Sequence, residues 1–137
     1  MKLLHLNKNP GNSFNLKNPH LNWLFVLLYA SLIFLLSSIS SPPVPISFRF
    51  SDKILHFFEY SFLSILLCRA FFYSWPALSA KKLIAMAAVA ALLYGLSDEI
   101  HQSFVPGRYC DMYDLLFDGL GGMAGALFWF SSFGRKH

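Results

Sequence analysis

The chain has 137 residues, of which 55% are hydrophobic, 18% aromatic and only 13% charged. Soluble domains carry roughly 25% charged residues, and a chain this short has too little interior to hide so much apolar surface from water. The net charge of +4 is not gathered into a basic run, and there is no Gly-rich phosphate loop, no CxxC and no nucleic-acid motif, so no nucleic-acid partner is expected.

Residues 1–20 are polar and read as a cytoplasmic N-terminal tail. The first apolar block runs from about Leu21 to Ile39. Ser38-Ile39-Ser40 has the small-x-small look of a signal cleavage site. The polar lead is long, however, and the apolar stretch exceeds the roughly 7–15 residues of a signal core, so a retained helix is expected. Pro42, Pro43 and Pro45 make Ser40–Ser51 a loop. The second block runs from about Asp52 to Phe72. Tyr73–Ala80, with Trp75 and Pro76, reads as a loop bearing an interfacial aromatic. The third block runs from about Lys82 to Gln102, and Val105-Pro106-Gly107 breaks it. The fourth runs from about Asp111 to Phe133. The runs are too long for strands and do not alternate, and an open sheet edge in lipid would leave backbone groups unpaired.

The expected architecture is therefore all-α: a polytopic membrane protein with a bundle of four transmembrane helices. Residues 21–133 form the membrane domain, and 134–137 form a cytoplasmic C-terminal tail. Lys2, Lys8, Lys17, Arg69, Lys81, Lys82, Arg135 and Lys136 fall on one side, against Arg49, Lys53 and Arg108 on the other. The positive-inside rule then gives a multi-pass cell-membrane protein with both termini in the cytoplasm. Cys68 in a helix and Cys110 in a loop are not expected to pair.

With that orientation all seven acids, Asp52, Glu59, Asp98, Glu99, Asp111, Asp114 and Asp118, fall in the outer half of helices two to four or at their outer ends. Residues three, four and seven apart share a helix face. Asp52, His56, Glu59 and Tyr60 do so on helix two. Tyr94, Asp98, His101 and Gln102 do so on helix three, with Glu99 off that face, set to meet Arg108 or water. Asp111, Asp114, Asp118, Gly121 and Gly125 do so on helix four. A charge in a bilayer costs about 2.5–3.5 kcal/mol on insertion scales, so such groups face a bundle interior and pair there. The acids outnumber Lys53, Arg108, Arg49 and the histidines, so some need solvent, a proton, a cation or a ligand. The simpler readings stand beside this one. Asp52 and Asp111 can be N-caps, His56 and His101 ordinary satisfied polar residues, and Gly121-x-x-x-Gly125 a packing motif.

These residues resemble a known family. Asp52-Lys53-x-x-His56-Phe57-x-Glu59-Tyr60 is similar to the D-K-x-x-H-F-x-x-Y motif of VanZ-like membrane proteins. Ser97-Asp98-Glu99-Ile100-His101-Gln102-x-Phe104-Val105-Pro106-Gly107-Arg108 resembles their D-E-x-x-Q-x-F-x-P-x-R motif. Asp111-x-x-Asp114-x-x-x-Asp118-x-x-Gly121 resembles the D-x-x-D-x-x-x-N-x-x-G motif, with Asp118 where the family usually carries Asn. The resemblance covers about Trp23 to Phe130. It implies a membrane domain with a shared polar site. The family takes its name from a protein associated with low-level resistance to teicoplanin, and most members have no assigned biochemistry.

Three functional readings follow. The first is recognition or processing of a lipid or lipid-linked cell-envelope headgroup. Asp52, Lys53, His56, Glu59, Tyr60, Gln102, Arg108, Asp111, Asp114 and Asp118 bind it, with Arg108 and Lys53 on phosphate. Asp98, Glu99 and His101 are the candidate acid–base groups. No Ser or Cys nucleophile beside a base is evident, so an enzymatic role stays open. The second is a non-enzymatic cation, proton or metal site drawing on His56, His101, Asp98 and Asp111. Their spacing matches no metal signature, so neither a metal nor another cofactor is expected. The third is a purely structural cluster in an interaction protein. A homo-oligomer is compatible with all three.

Overall fold

The computed structural model describes residues 15–40 and 51–134. The tail before Asn15, the three-proline loop with Arg49, and residues 135–137 lie outside the described residues. Four helices make up the rest: α1 (Pro19–Ser37), α2 (Ser51–Ser74), α3 (Ala80–Gln102) and α4 (Met112–Phe133). The all-helical expectation holds. The second apolar block continues two residues past Phe72, and the third begins two residues before Lys82.

Local chemistry sets the helix ends. The Asn18 side chain caps α1 by accepting the His20 amide at 2.9 Å, with Pro19 just inside, where its missing N–H costs nothing. The α2–α3 turn holds Pro76. The Asp111 carboxylate accepts the Tyr113 amide at 2.8 Å and caps α4. The α3–α4 turn contains Gly107 at φ 81°, a left-handed conformation that disfavours a side chain.

α2 packs most extensively on α4. α3 lies against α4 and α2, and α1 rests mainly on α2. Tyr60, Leu63 and Leu67 of α2, Leu83, Ala87 and Ala91 of α3, Ala126 and Trp129 of α4, and Ile33 of α1 form the core. Glycines bring α4 onto α2. A Cβ on Gly121 would strike the Phe57 carbonyl oxygen, and one on Gly125 would strike that of Ser61. The expected packing role of this G-x-x-x-G pair is therefore what the structure has. Tyr94 donates to the Ala30 carbonyl at 2.6 Å, tying α3 to α1. At the far end, Trp23 donates to Ser74 Oγ at 2.9 Å and meets Phe71 edge-on.

The outward faces are apolar. Leu27, Leu35, Phe58, Leu93 and Phe128 are all exposed. In water such a belt would be an aggregation surface; in lipid it needs no cover. α1, residues Asp52–Ser74 of α2, and α3 are each long and apolar enough to cross a membrane. α4 is long enough but falls short in hydropathy, because it carries Asp114, Asp118 and four glycines. Of the four expected spans, three are identified on these grounds.

Candidate polar site at one end of the bundle

α2 and α4 begin where α3 ends, so their polar stripes meet. Lys53 is buried in the first turn of α2 and donates to three carboxylates: Asp114 Oδ1 at 2.8 Å, Asp111 Oδ2 at 2.9 Å and Asp52 Oδ2 at 3.0 Å. Its three N–H bonds are thereby used, which leaves it none for a phosphate. One turn on, His56 Nδ1 lies 2.8 Å from Asp118 Oδ1 and Nε2 lies 3.9 Å from Asp114 Oδ2. The His56 ring runs parallel to that of fully buried Tyr60.

α3 contributes Asp98, Glu99 and Gln102, all buried. The Gln102 amide donates to Asp98 Oδ2 at 2.8 Å across one helical turn. Glu99 is not off the shared face, as the helical spacing predicts. Its Oε2 accepts the Asp111 amide at 2.7 Å, because the short α3–α4 turn returns the chain to it. That turn, marked by Gly107, is the sequence signal that could have found it. His101 goes the other way. It stacks on Phe34 of α1 at 4.4 Å between ring centres and lies 3.0 Å from Ser38 Oγ. The acid–base grouping of His101 with Asp98 or Glu99 is therefore not assembled, and His56 with Asp118 is the histidine–carboxylate pair present.

Glu59 is half-buried on α2, and Asp52 is exposed. Arg108 is half-buried in the α3–α4 turn, and its guanidinium makes no hydrogen bond or ion pair among the described residues. Cys68 is buried, Cys110 is exposed, and both are free. Sequence reasoning also passed over Gly95. A Cβ there would come within 2.6 Å of Asp118 Oδ2, so glycine lets that carboxylate pack directly against α3. Asp98 Oδ1, Glu99 Oε1, Asp118 Oδ2 and the Tyr60 hydroxyl are buried with no hydrogen-bond partner among the described residues.

The cap residue Asp111 gives the cluster a pH signature. The Lys53 ammonium, then the Tyr113 amide, hold its carboxyl below the usual carboxylate range. A depressed folded value means that the stabilisation is complete above the unfolded pKa of about 3.9 and fades as pH falls through the folded value. Asparagine keeps the cap but removes the charge. Asp111→Asn should therefore lower the thermal midpoint in detergent at about pH 7 and flatten its fall toward about pH 3. Parallel wild-type and variant profiles would contradict this.

The fold and site together define a small polytopic helical membrane protein with a buried acid–histidine cluster at one end. The family model described as VanZ/LLP1 matches residues 3–133, and the chain belongs to that family. No curated protein and no solved structure matches it.

Proposed function

We propose that the chain is a four-span cell-envelope protein with both termini cytoplasmic, whose polar end binds a phosphate-bearing headgroup of a lipid or lipid-linked precursor at the extracytoplasmic leaflet. One observation carries the reading: Arg108 is half-buried beside the cluster, with Glu59 as an electrostatic neighbour but no hydrogen bond or ion pair on its guanidinium among the described residues, whereas Lys53 is fully engaged. A guanidinium presents paired N–H groups that match a phosphate. Exposed Phe104 and Tyr109 flank it, as in a loop resting at a lipid interface. An apolar groove of about 290 Å³, lined by Phe25, Leu28, Tyr29, Leu32, Phe62 and Leu66, suits an acyl chain. It adjoins the polar end, since the Tyr29 hydroxyl donates to the Glu59 carbonyl.

A structural role accounts for Lys53 and its three acids, but not for the partnerless oxygens of Asp98, Glu99 and Asp118. A glycopeptide-resistance-like role belongs to the same headgroup reading. The reading is stated for binding; among the described residues no Ser, Thr or Cys side chain is hydrogen-bonded to the His56–Asp118 pair.

Arg108→Gln should weaken retention of phosphatidylglycerol in native mass spectra roughly ten- to a hundredfold, the worth of a charged hydrogen-bond pair. Equal lipid adducts on wild type and variant would sink the headgroup reading.

A further inference from the structure

The acids of the polar end fall into two groups. Asp52 and Asp111 stay partly open to solvent and share Lys53. Asp98, Glu99, Asp114 and Asp118 are 5%, 1%, 8% and 0% exposed. Buried beside them are two cationic groups, Lys53 and His56. Lys53 answers Asp114 and His56 answers Asp118. Asp98 and Glu99 remain with neutral partners alone, Gln102 for Asp98 and the Asp111 amide and Cys110 thiol for Glu99, and each has one oxygen without a hydrogen bond among the described residues. Asp118 keeps a bare oxygen as well. An uncompensated carboxylate in such a place is strongly unfavourable, so the interior is short of about two positive charges.

The geometry shows where those charges would sit. One potential ligand atom from each of His56, Glu99 and Asp118 lies within 4.8 Å of the other two. Nitrogen and oxygen ligands bind zinc at about 2.0–2.2 Å, so two ligands of one ion lie at most roughly 4.4 Å apart. Three ligands of one tetrahedral ion lie closer still, about 3.4 Å apart, so the side chains close in by up to roughly an ångström on binding. His56 Nδ1 and Asp118 Oδ1, now hydrogen-bonded at 2.8 Å, part by roughly half an ångström to share one ion. An ion there replaces their hydrogen bond. His56 Nε2 then lies 3.9 Å from Asp114 Oδ2, beyond hydrogen-bond length but on the side where metal-bound imidazoles commonly have a carboxylate.

We infer that His56, Glu99 and Asp118 form a site for one divalent first-row cation, of the zinc or manganese class. One imidazole nitrogen with two carboxylates is a donor set for those ions and a poor one for magnesium, which prefers oxygen alone. The ligands come from α2, α3 and α4, so the cation clamps three helices. Binding leaves His56 a neutral imidazole, so the ion's two charges replace the imidazolium and cut the deficit from about two charges to about one. The site uses neither His101 nor Arg108 and does not depend on headgroup binding.

The test uses the full chain in detergent, stripped with chelator and titrated calorimetrically at about pH 7 with Zn²⁺ and, separately, Mn²⁺. One equivalent should bind wild type. Glu99→Gln and Asp118→Asn keep the side-chain shapes, and each should weaken binding by at least ~100-fold, the upper end of what outer-sphere changes cost. His101→Ala should bind as wild type does. With chelator present, Glu99→Gln should melt no lower than wild type, because it removes an unpaired buried charge. A second readout needs no variant. Mn²⁺ should broaden the ¹⁵N signals of the His56 imidazole well before those of His101. Binding well below one equivalent, equal affinity in the carboxamide variants, or equal broadening of both histidines would overturn the assignment.

Discussion

Replacing Lys53 with methionine is expected to cost about 3–5 kcal/mol, the penalty for stranding a buried partner charge. The ammonium lies buried between Asp114, Asp111 and Asp52 at 2.8–3.0 Å. Methionine fills similar space but leaves Asp114 buried with only His56 Nε2, 3.9 Å away and already paired with Asp118, to answer its charge. Asp111 and Asp52 can turn to solvent; Asp114 cannot. The measurement is the midpoint of denaturant unfolding in detergent, for wild type, Lys53→Met, Asp114→Leu and the double variant. The double variant should recover most of the loss, because no uncompensated charge remains. If Lys53→Met alone unfolds like wild type, the ammonium is not holding the starts of α2 and α4 together. If the double variant is as weak as the sum of the singles, the pair is not the unit of stabilisation.

Gly125→Ala should be the most damaging glycine-to-alanine change among the described residues. The added Cβ would occupy the place of the Ser61 carbonyl oxygen, and at Gly121 that of the Phe57 oxygen. Both obstacles are backbone within α2, so no rotamer change relieves them and the helices must separate. Overpacking of this kind costs about 1–3 kcal/mol and more where backbone must move. Separation would also open the contact between Ser61 Oγ and the Gly121 carbonyl, 3.0 Å long. A matched control is Gly119→Ala, whose nearest neighbour is the movable end of Leu92 at 3.3 Å. Thermal midpoints should fall far more for Gly125→Ala than for Gly119→Ala. Similar midpoints would mean that α4 does not approach α2 through this face.

Much of the bundle follows from local sequence. Long apolar runs, the Asn18 and Asp111 caps, Pro76, and the Pro106-Gly107 break define the four helices, because capping and backbone restriction act within a few residues. Acids restricted to three helix ends likewise foretell a polar end, since side chains three and four apart share a face whatever lies opposite. Hydropathy does not by itself identify α4 as a membrane span, because the residues that build the site and the close packing, two acids and four glycines, lower it.

Which acid serves which partner was decided by packing. Consecutive helical residues point roughly 100° apart, so Glu99 and His101 lie about 200° apart on α3. The helical wheel favours the Asp98–His101 stripe, yet a wheel cannot say which neighbour covers which flank. α1 takes the His101 side through Phe34 and Ser38, and the α3–α4 turn folds Asp111 onto Glu99. Lys53 is a similar case. Its sequence position suits a phosphate contact, and only the meeting of α2 with α4 shows its ammonium spent on three carboxylates. The sequence by itself determined the helices, the polar character of one end and the membrane setting, all of which rest on short-range order and composition. The tertiary structure decided the pairings and the partnerless oxygens, because those depend on distances between residues about 60 apart in the chain.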